Sequence, residues 1–418
     1  MPGLTFQSTV TVLIMFASFS AFVWLVITIV TLYSVTRQKQ LSAITDLHLT
    51  TSDAPLVSIL VPARNEEHRV LEACIRSILD QDYGNFEVIV VNDRSTDATG
   101  TILNTLTESN ARLRVIEGAD LPAGWLGKPH AMQQAFNIAR GEWILATDAD
   151  MIFDPSALRT AVDRTLKANG DALTLIPHFE AGSFWERVMI PTWAWVFLMF
   201  TLFYRIHDPK TNGAAGIGGF FLLRRTVLER VGGYEALKDE VMEDLRLAEM
   251  VKRSRATLLI DHAPTLIRTR MYQTFSEMWE CSTKNWFSGV NFSLPFALFC
   301  VASMYSISVV PAVLAVASVI GIVAGAEGNL WWLFIPALLS WWLQILVMGI
   351  VSARSEVFPG YGLTAPLGLA LMYAMLFDSS IRITSGRGVT WKGRRIYERS
   401  GVRPPRLRGI PDLPELNK

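Results

Sequence analysis

The chain has 418 residues, 38 basic against 38 acidic side chains, 50% hydrophobic residues and a mean hydropathy of +0.30. Zero net charge argues against a general nucleic-acid binder, and so high a hydropathy is unusual for a water-soluble chain that must keep a polar surface. Cys74, Cys281 and Cys300 are too few and too scattered for a disulfide framework or a metal knuckle, so they read as structural thiols. The charge is unevenly placed. Residues 1–33 carry none, and residues 294–381 carry only Glu327, Arg354, Glu356 and Asp378. Residues 34–293 hold 27 basic and 32 acidic side chains, and residues 382–418 hold 10 basic and 3 acidic ones. A slightly acidic domain thus sits between apolar segments, with a basic tail behind it.

In chain order, residues 10–32 form an apolar stretch long enough to cross a bilayer core of about 30 Å as a helix. It lacks a basic n-region and a small-residue cleavage site, and Arg37 and Lys39 follow it, which predicts an uncleaved anchor with the next domain in the cytoplasm. The expected organisation is an anchor at 1–36, a catalytic domain at 37–293, a membrane region at 294–381 and a basic cytoplasmic tail at 382–418. Within the domain, apolar β-rich runs at 56–63, 86–92, 113–116, 143–147 and 172–176 alternate with helical patterns at 66–79, 98–106, 130–139 and 155–168. Strands separated by helices of this length predict right-handed crossovers and a mostly parallel, Rossmann-like α/β sheet with flanking helices. Residues 184–205, with Trp193, Trp195, Phe203 and Tyr204 between charged ends, suit a helix in the headgroup layer. Three apolar blocks follow at 294–326, 330–351 and 361–377. The basic tail belongs in the cytoplasm, so an even number of crossings is required and one block does not cross once. Either the last is re-entrant or interfacial, which is the favoured reading, or the first is a hairpin broken at Pro311.

Ligands of parallel sheets bind beyond the carboxyl ends of the strands. The first strand runs into Pro62, Arg64, Asn65 and Glu66, the second into Asp93 and the fourth into Asp148 and Asp150. Neither G-x-G-x-x-G nor G-x-x-x-x-G-K-[ST] occurs, which removes the main support for dinucleotide and P-loop readings. Carboxylates at strand ends point instead to a hard divalent metal, Mg²⁺ or Mn²⁺, bridging diphosphate oxygens.

PARNEE (62–67), VNDRSTDAT (91–99), DAD (148–150), GGFFLLRR (218–225) and MEDLRLA (242–248) resemble, in order and spacing, the family 2 glycosyltransferases of the GT-A fold. GWLGKPHA (124–131), RTRMYQTFSEMWE (268–280) and GVTWKGRR (388–395) are similar to bacterial membrane enzymes that glycosylate carotenoids and related isoprenoid lipids. Ceramide and hopanoid-associated glycosyltransferases resemble the chain more distantly. The resemblance implies a fold with transmembrane helices at both ends and a place in the bacterial inner membrane with the catalytic domain facing the cytoplasm. Pro62, Arg64 and Glu66 would border the base and ribose of a nucleotide sugar, and Asp93 would hold the base edge. Asp148 would touch the ribose or a metal-bound water, and Asp150 would ligate the metal. Lys128 would reach the diphosphate. Asp244 would be the general base, and Glu243 would orient it or contact the acceptor. Gly218 and Gly219 would let the backbone approach the sugar or acceptor, and His262 would be a further metal ligand.

Processive and lipid-type members carry [QR]-x-x-R-W on an interfacial helix, expected here within 272–290. This chain has Ser282, Thr283, Lys284, Asn285 and Trp286 there. The departure counts against a processive polysaccharide synthase and leaves Lys284 and Trp286 as the acceptor-side residues. The expected activity is inverting, metal-dependent hexose transfer from a UDP-linked donor to a lipid hydroxyl, on a carotenoid, with hopanoid, ceramide and glycerolipid as alternatives. A catalytically silent membrane scaffold is disfavoured because Asp150 and Asp244 are both present.

Overall fold

The computed structural model describes residues 6–43, 54–108, 110–201, 206–207, 211, 213–326, 330–399 and 401–405. The chain forms two compact units. One, the sheet unit, comprises Gln38–Glu180, Thr201–Met271 and Ser385–Lys418; the other, the helical unit, comprises Met1–Arg37, Ala181–Phe200 and Tyr272–Thr384.

In the sheet unit, β1 (Val57–Ala63), β2 (Phe86–Asn92), β3 (Leu113–Glu117) and β4 (Trp143–Ala146) are laid out in the order β3-β2-β1-β4, all parallel. Apart from Ser58, which donates to Glu87 (2.7 Å), and Asn92, strands β1, β2 and β4 are apolar and buried on both faces, as parallel strands between helices must be. Helices α2 (Leu71–Leu79), α3 (Thr99–Glu108) and α4 (Gly127–Ile138) make the crossovers. The spacing of Leu71, Cys74, Ile75 and Ile78 keeps one face of α2 in the core. The predicted helix at 66–79 begins only at Leu71. The backbone N–H groups of Glu66 and Glu67 donate instead to Thr99 Oγ1 (2.7 Å) and Asp97 Oδ2 (3.1 Å), which holds the end of β1 against the turn after β2.

Beyond β4 the chain adds β5 (Met151–Phe153), α5 (Ala157–Lys167), β6 (Ala172–Ile176), β7 (His178–Phe179), β8 (Phe221–Arg224), α7 (Arg225–Arg230), α8 (Glu243–Arg253), β9 (Leu258–His262) and β10 (Ile267–Thr269). Helix α6 (Phe184–Thr201), between β7 and β8, belongs almost wholly to the helical unit. The main sheet continues β4-β8-β6-β9, with β8 antiparallel to both neighbours, and β5, β10 and β7 form a small second sheet. Pattern reading finds β6 but treats 218–225 only as a motif. Its FFLLR stretch is a strand driven between β4 and β6, which fixes Gly218 beside the end of β4.

The tail forms a hairpin of β11 (Val389–Trp391) and β12 (Arg394–Ile396). Its two-residue turn, Lys392 and Gly393, has φ of 45° and 76°, the left-handed pair that matches the twist of a two-residue hairpin.

The helical unit contains α1 (Phe6–Arg37), α6, α9 (Phe275–Gly289), α10 (Leu294–Met304), α11 (Val310–Val323), α12 (Trp331–Arg354) and α13 (Ala365–Thr384). Four helical stretches among the described residues are long and apolar enough to cross a membrane: Gln7–Arg37, Leu294–Val323, Trp331–Arg354 and Pro359–Thr384. The hairpin reading at Pro311 does not hold, because α10 runs through a π turn (Tyr305–Val309) into α11 as one stretch. Proline at 311 denies the carbonyl of Ile307 its helical partner. Ser20 Oγ (2.8 Å) and Trp24 Nε1 (2.9 Å) of α1 donate to that carbonyl, so the helix bends without breaking. Helix α6 shares this unit's interior. Trp195 stacks on Trp24 with ring centroids 5.6 Å apart, its Nε1 donates to Thr31 Oγ1 (3.3 Å), and a Cβ at Gly368 of α13 would meet Thr192 Oγ1 at 2.5 Å. Phe203, Tyr204 and Arg205 of the predicted headgroup helix lie outside the described residues.

Replacing Ser20 by Ala and Trp24 by Phe together leaves the Ile307 carbonyl unpaired in an apolar setting. The expected loss is about 1–3 kcal/mol, read as a lowered midpoint in thermal unfolding of the detergent-solubilised protein. An unchanged midpoint would remove these side chains from the account of the bend.

Candidate functional site

The site lies at the carboxyl ends of β1, β2 and β4 in the sheet unit. Asn65 and Arg94, one residue beyond Arg64 and Asp93, both adopt φ of 51°, so the chain turns sharply out of each strand. Arg64 Nη1 donates to the carbonyls of Asp93 (2.7 Å) and Arg94 (2.8 Å), which spends one of its donors on holding the second strand's exit. Burial and the nearby Arg394 guanidinium push the Arg64 pKa down, against the opposing pull of Asp93. Pro62 is paired within β1 opposite Val91 and is half-buried.

At the end of β4, the ammonium of Lys128 lies 2.6 Å from Asp148 Oδ1 and 2.6 Å from Glu243 Oε1. The helical pattern predicted at 130–139 starts earlier, at Gly127, so Lys128 stands in the first turn of α4. Burial by itself would lower its pKa, but Asp148, Glu243 and Asp244 outweigh it and hold the pKa well above the ordinary lysine value. Asp244, in the first turn of α8, accepts from two backbone amides, Gly218 N to Oδ2 and Leu245 N to Oδ1, each at 2.8 Å. Burial first and the neighbouring Glu243 second raise its pKa to about 6, while Lys128 pulls it back.

Gly218 marks the centre of this group. A Cβ there would lie 2.9 Å from Lys128 Nζ, 3.1 Å from Asp148 Oδ2 and 3.5 Å from Asp244 Oδ2, so only glycine leaves these charges room. Gly219 differs: a Cβ there would meet Met151 Sδ at 2.8 Å, so its constraint comes from packing.

A divalent metal fits Asp148 and Asp150. Asp150 Oδ1 is buried without a hydrogen-bond partner, and burial, then Asp148 and Glu66, push the carboxyl up to about 7. Lys392 and Lys128 pull the other way without cancelling this, so the group is short of compensating positive charge. Among the described residues no cluster of three or more His, Cys, Asp or Glu could enclose an ion. The two carboxylates would therefore share it with phosphate oxygens and water, as Mg²⁺ and Mn²⁺ sites commonly do. His262 is not brought to this place: it ends the edge strand β9, with β6 and β8 between it and β4, and bridges to Gln40. Cys74 donates to the Asp148 carbonyl (3.7 Å), and burial drives its thiol pKa far up, in keeping with a structural thiol.

The sequence places the basic tail in the cytoplasm without assigning it to the site. The structure places two of its cations in this site instead. Lys392 pairs with Glu66, and Arg394 Nη1 lies 2.8 Å from Asp93 Oδ2, while Arg94 holds Oδ1. Glu66 and Asp93 are 5% and 4% exposed, so both carboxylates are removed from water and each has found a cation. Tyr397 Oη donates to the carbonyl of Asp239 (2.8 Å), a third anchor for the hairpin. Arg387, Arg395 and Arg399 are exposed; Arg406 and Arg408 lie outside the described residues. The K-G turn between two short β-type runs is a hairpin signal, but nothing local says where the hairpin docks. Lys284 and Trp286 lie on α9 of the helical unit, both half-exposed.

Residues 58–232 match the family model Glycosyl transferase family 2. Probable glycosyltransferase YdaM of Bacillus subtilis is 28% identical over 201 residues, 44% of either chain. The 4,4'-diaponeurosporenoate glycosyltransferase of Staphylococcus aureus is 26% identical over 243 residues, 57% of this chain and 63% of that protein. The chain thus spans about half to just under two thirds of the length of these relatives. Among solved structures, mannosyltransferase PcManGT from Pyrobaculum calidifontis, in complex with GDP-Man and Mn²⁺, superposes with a TM-score of 0.51 at 17% identity, covering 90% of this chain and 97% of that one. It shares the fold.

A Cβ at Gly127 would lie 2.4 Å from Arg394 Nη1 and 2.7 Å from Asp93 Oδ2. Gly127→Ala is therefore expected to push the Arg394 side chain off Asp93 and loosen the hairpin. Limited trypsin digestion followed by mass spectrometry should show faster cleavage after Lys392 and Arg394 than in the wild type; equal rates would refute the docking contact.

Proposed function

Because the chain carries a glycosyl transferase family 2 domain with the GT-A fold, we propose that it is an inverting hexosyltransferase that moves a sugar from a UDP-linked donor to a hydroxyl of a membrane lipid, a carotenoid or related isoprenoid. The observation that carries this reading is the convergence of Lys128, Asp148, Glu243 and Asp244 around the bare face of Gly218.

Asp244 is the base. Its carboxylate is held by the amides of Gly218 and Leu245, and a pKa near 6 leaves it ionised at neutral pH yet basic enough to accept a proton in the transition state. The acceptor oxygen forms its bond to the anomeric carbon as the bond from that carbon to the diphosphate oxygen breaks, and the hydroxyl proton passes to Asp244. A single displacement inverts the anomeric centre. Lys128, freed from Asp148 and Glu243 when the donor enters, neutralises the departing diphosphate. Mg²⁺ or Mn²⁺ held by Asp148 and Asp150 would add positive charge at the same leaving group. Glu243 positions Lys128 and the acceptor side. Glu66, Asp93 and Arg64 border the base and ribose, with the Lys392 and Arg394 hairpin over them.

Four candidate membrane helices and the relative named as a diaponeurosporenoate glycosyltransferase support a lipid acceptor. Arg37 at the end of α1 and Lys39 just after it support a cytoplasmic sheet unit in a bacterial inner membrane. The chain leaves the sheet unit after Met271 and re-enters it at Ser385. An even number of crossings is then needed between these points, where three candidate helices lie. Helix α13, whose last turns carry the Asp378–Arg382 ion pair (2.8 Å), is the one that runs along the interface.

Asp244→Asn is expected to abolish transfer, by at least about a hundredfold in kcat, while UDP binding persists. Asp150→Ala is expected to lose metal-dependent UDP binding, measured by titration calorimetry with and without Mn²⁺. Near-normal turnover in either variant would overturn the assigned role. In the wild type, the rate of transfer should fall as pH drops below about 6, where Asp244 takes a proton. Lys128→Met removes a charge that lowers the Asp244 pKa, so this acid limb should move to higher pH. A pH-rate profile that is flat between 5 and 8 would exclude Asp244 as the base.

A further inference from the structure

The hairpin of the tail joins neither of the larger sheets: β11 and β12 pair only with each other. A two-stranded hairpin is marginal in water by itself, so its position rests on what its side chains reach. Its root is packed, with Val389 and Tyr397 buried and Tyr397 Oη donating to the Asp239 carbonyl (2.8 Å). Its tip, from Trp391 to Arg394, is half-exposed or exposed and is held by charge. Lys392 pairs with Glu66 and donates to the Arg64 carbonyl (3.4 Å), and Arg394 Nη1 lies 2.8 Å from Asp93 Oδ2. Gly386 and Gly388, with φ of 74° and 68°, lead into β11 through a left-handed approach that glycine adopts without strain.

Both oxygens of Asp93 are taken, Oδ1 by the Arg94 guanidinium and Oδ2 by Arg394. Lys392 and Arg394 keep 29% and 25% of their side chains exposed, while Glu66 and Asp93 beneath them keep only 6% and 5%. The two cations therefore stand between the carboxylates and solvent. A ligand that hydrogen-bonds to Glu66 or Asp93 has to displace them. Resting on the proposed function, which gives Glu66 and Asp93 to the ribose and base of a UDP-linked donor, we propose that the tail hairpin is an autoinhibitory latch. Docked, it closes these carboxylates to the nucleotide, and the donor binds only when the tip swings away. Lifting the tip returns Lys392, Arg394, Glu66 and Asp93 to water together, so no charge is left buried alone. The apparent affinity for the donor is then the intrinsic one multiplied by the undocked fraction.

The test uses the purified chain in detergent, with UDP and Mn²⁺ as the probe. It compares the wild type with the double variant Lys392→Gln, Arg394→Gln, which frees the tip, and with Tyr397→Phe, which weakens docking without changing a charge beside Glu66 or Asp93. Titration calorimetry should show UDP bound about 10–100-fold more tightly by the double variant. For Tyr397→Phe the gain should be roughly 2–10-fold, the share of one hydrogen bond. In the wild type, saturating UDP should speed trypsin cleavage after Lys392 and Arg394. Tyr397→Phe and the trypsin rates decide the matter even if the double variant does not fold. Slower cleavage with UDP, or weaker UDP binding by the double variant, would make the hairpin a cover that closes on the nucleotide and would overturn the latch. Equal UDP affinity in all three proteins overturns it too, while the proposed function stands. If none of the three binds UDP, the UDP-dependent function fails, and a latch against its donor fails with it.

Discussion

Six carboxylates converge at the strand ends of the sheet unit, and their mutual repulsion is the constraint to which the rest of the site answers. Asp148, Asp150, Glu243 and Asp244 stand near Lys128; Glu66 and Asp93 stand beneath Lys392 and Arg394. Carboxylates so deeply placed must be protonated, paired or ligated. The raised pKa values of Asp150 and Asp244 show where compensation is incomplete. On the proposed function, an added cation at Asp150 and the acceptor proton at Asp244 would complete it, and a cluster under-neutralised by its own chain would suit a donor that arrives with a metal.

Backbone geometry makes this crowding possible. Gly218 has no side chain because three charged groups share its Cβ position, and a Cβ at Gly216 would meet the Asp244 carbonyl at 2.1 Å, so the loop before β8 lies directly on the start of α8. The antiparallel insertion of β8 between β4 and β6 is what delivers that loop to the end of β4. The tail hairpin is delivered just as specifically, by two ion pairs and the Tyr397 contact.

The helical unit, four of whose stretches are long and apolar enough to cross a membrane, solves a related problem. Pro311 frees one carbonyl, and two donors from α1 take it up. Ser20 also pairs with Ser340 of α12 at 2.8 Å, so the same residue joins three helical segments. Where hydrocarbon supplies no hydrogen bonds, a proline bend becomes a place at which helices must meet.

The strands at 57–63, 86–92 and 172–176, the carboxylates at their ends and the apolar segments follow from local periodicity and composition, and so were legible in the sequence. That is also why five short motifs in register pointed to the family. The sequence did not show that 221–224 is a strand, because its pairing with β4 and β6 depends on residues far away in the chain. Nor did it show that Glu66 and Asp93 are neutralised from the tail. Asp93 and Arg394 are 301 positions apart, and no periodicity carries across such an interval. The amino-acid order determined which groups are available and which strand or helix carries them. Tertiary structure alone decided which charges meet, because ion pairing and burial depend on distance in space.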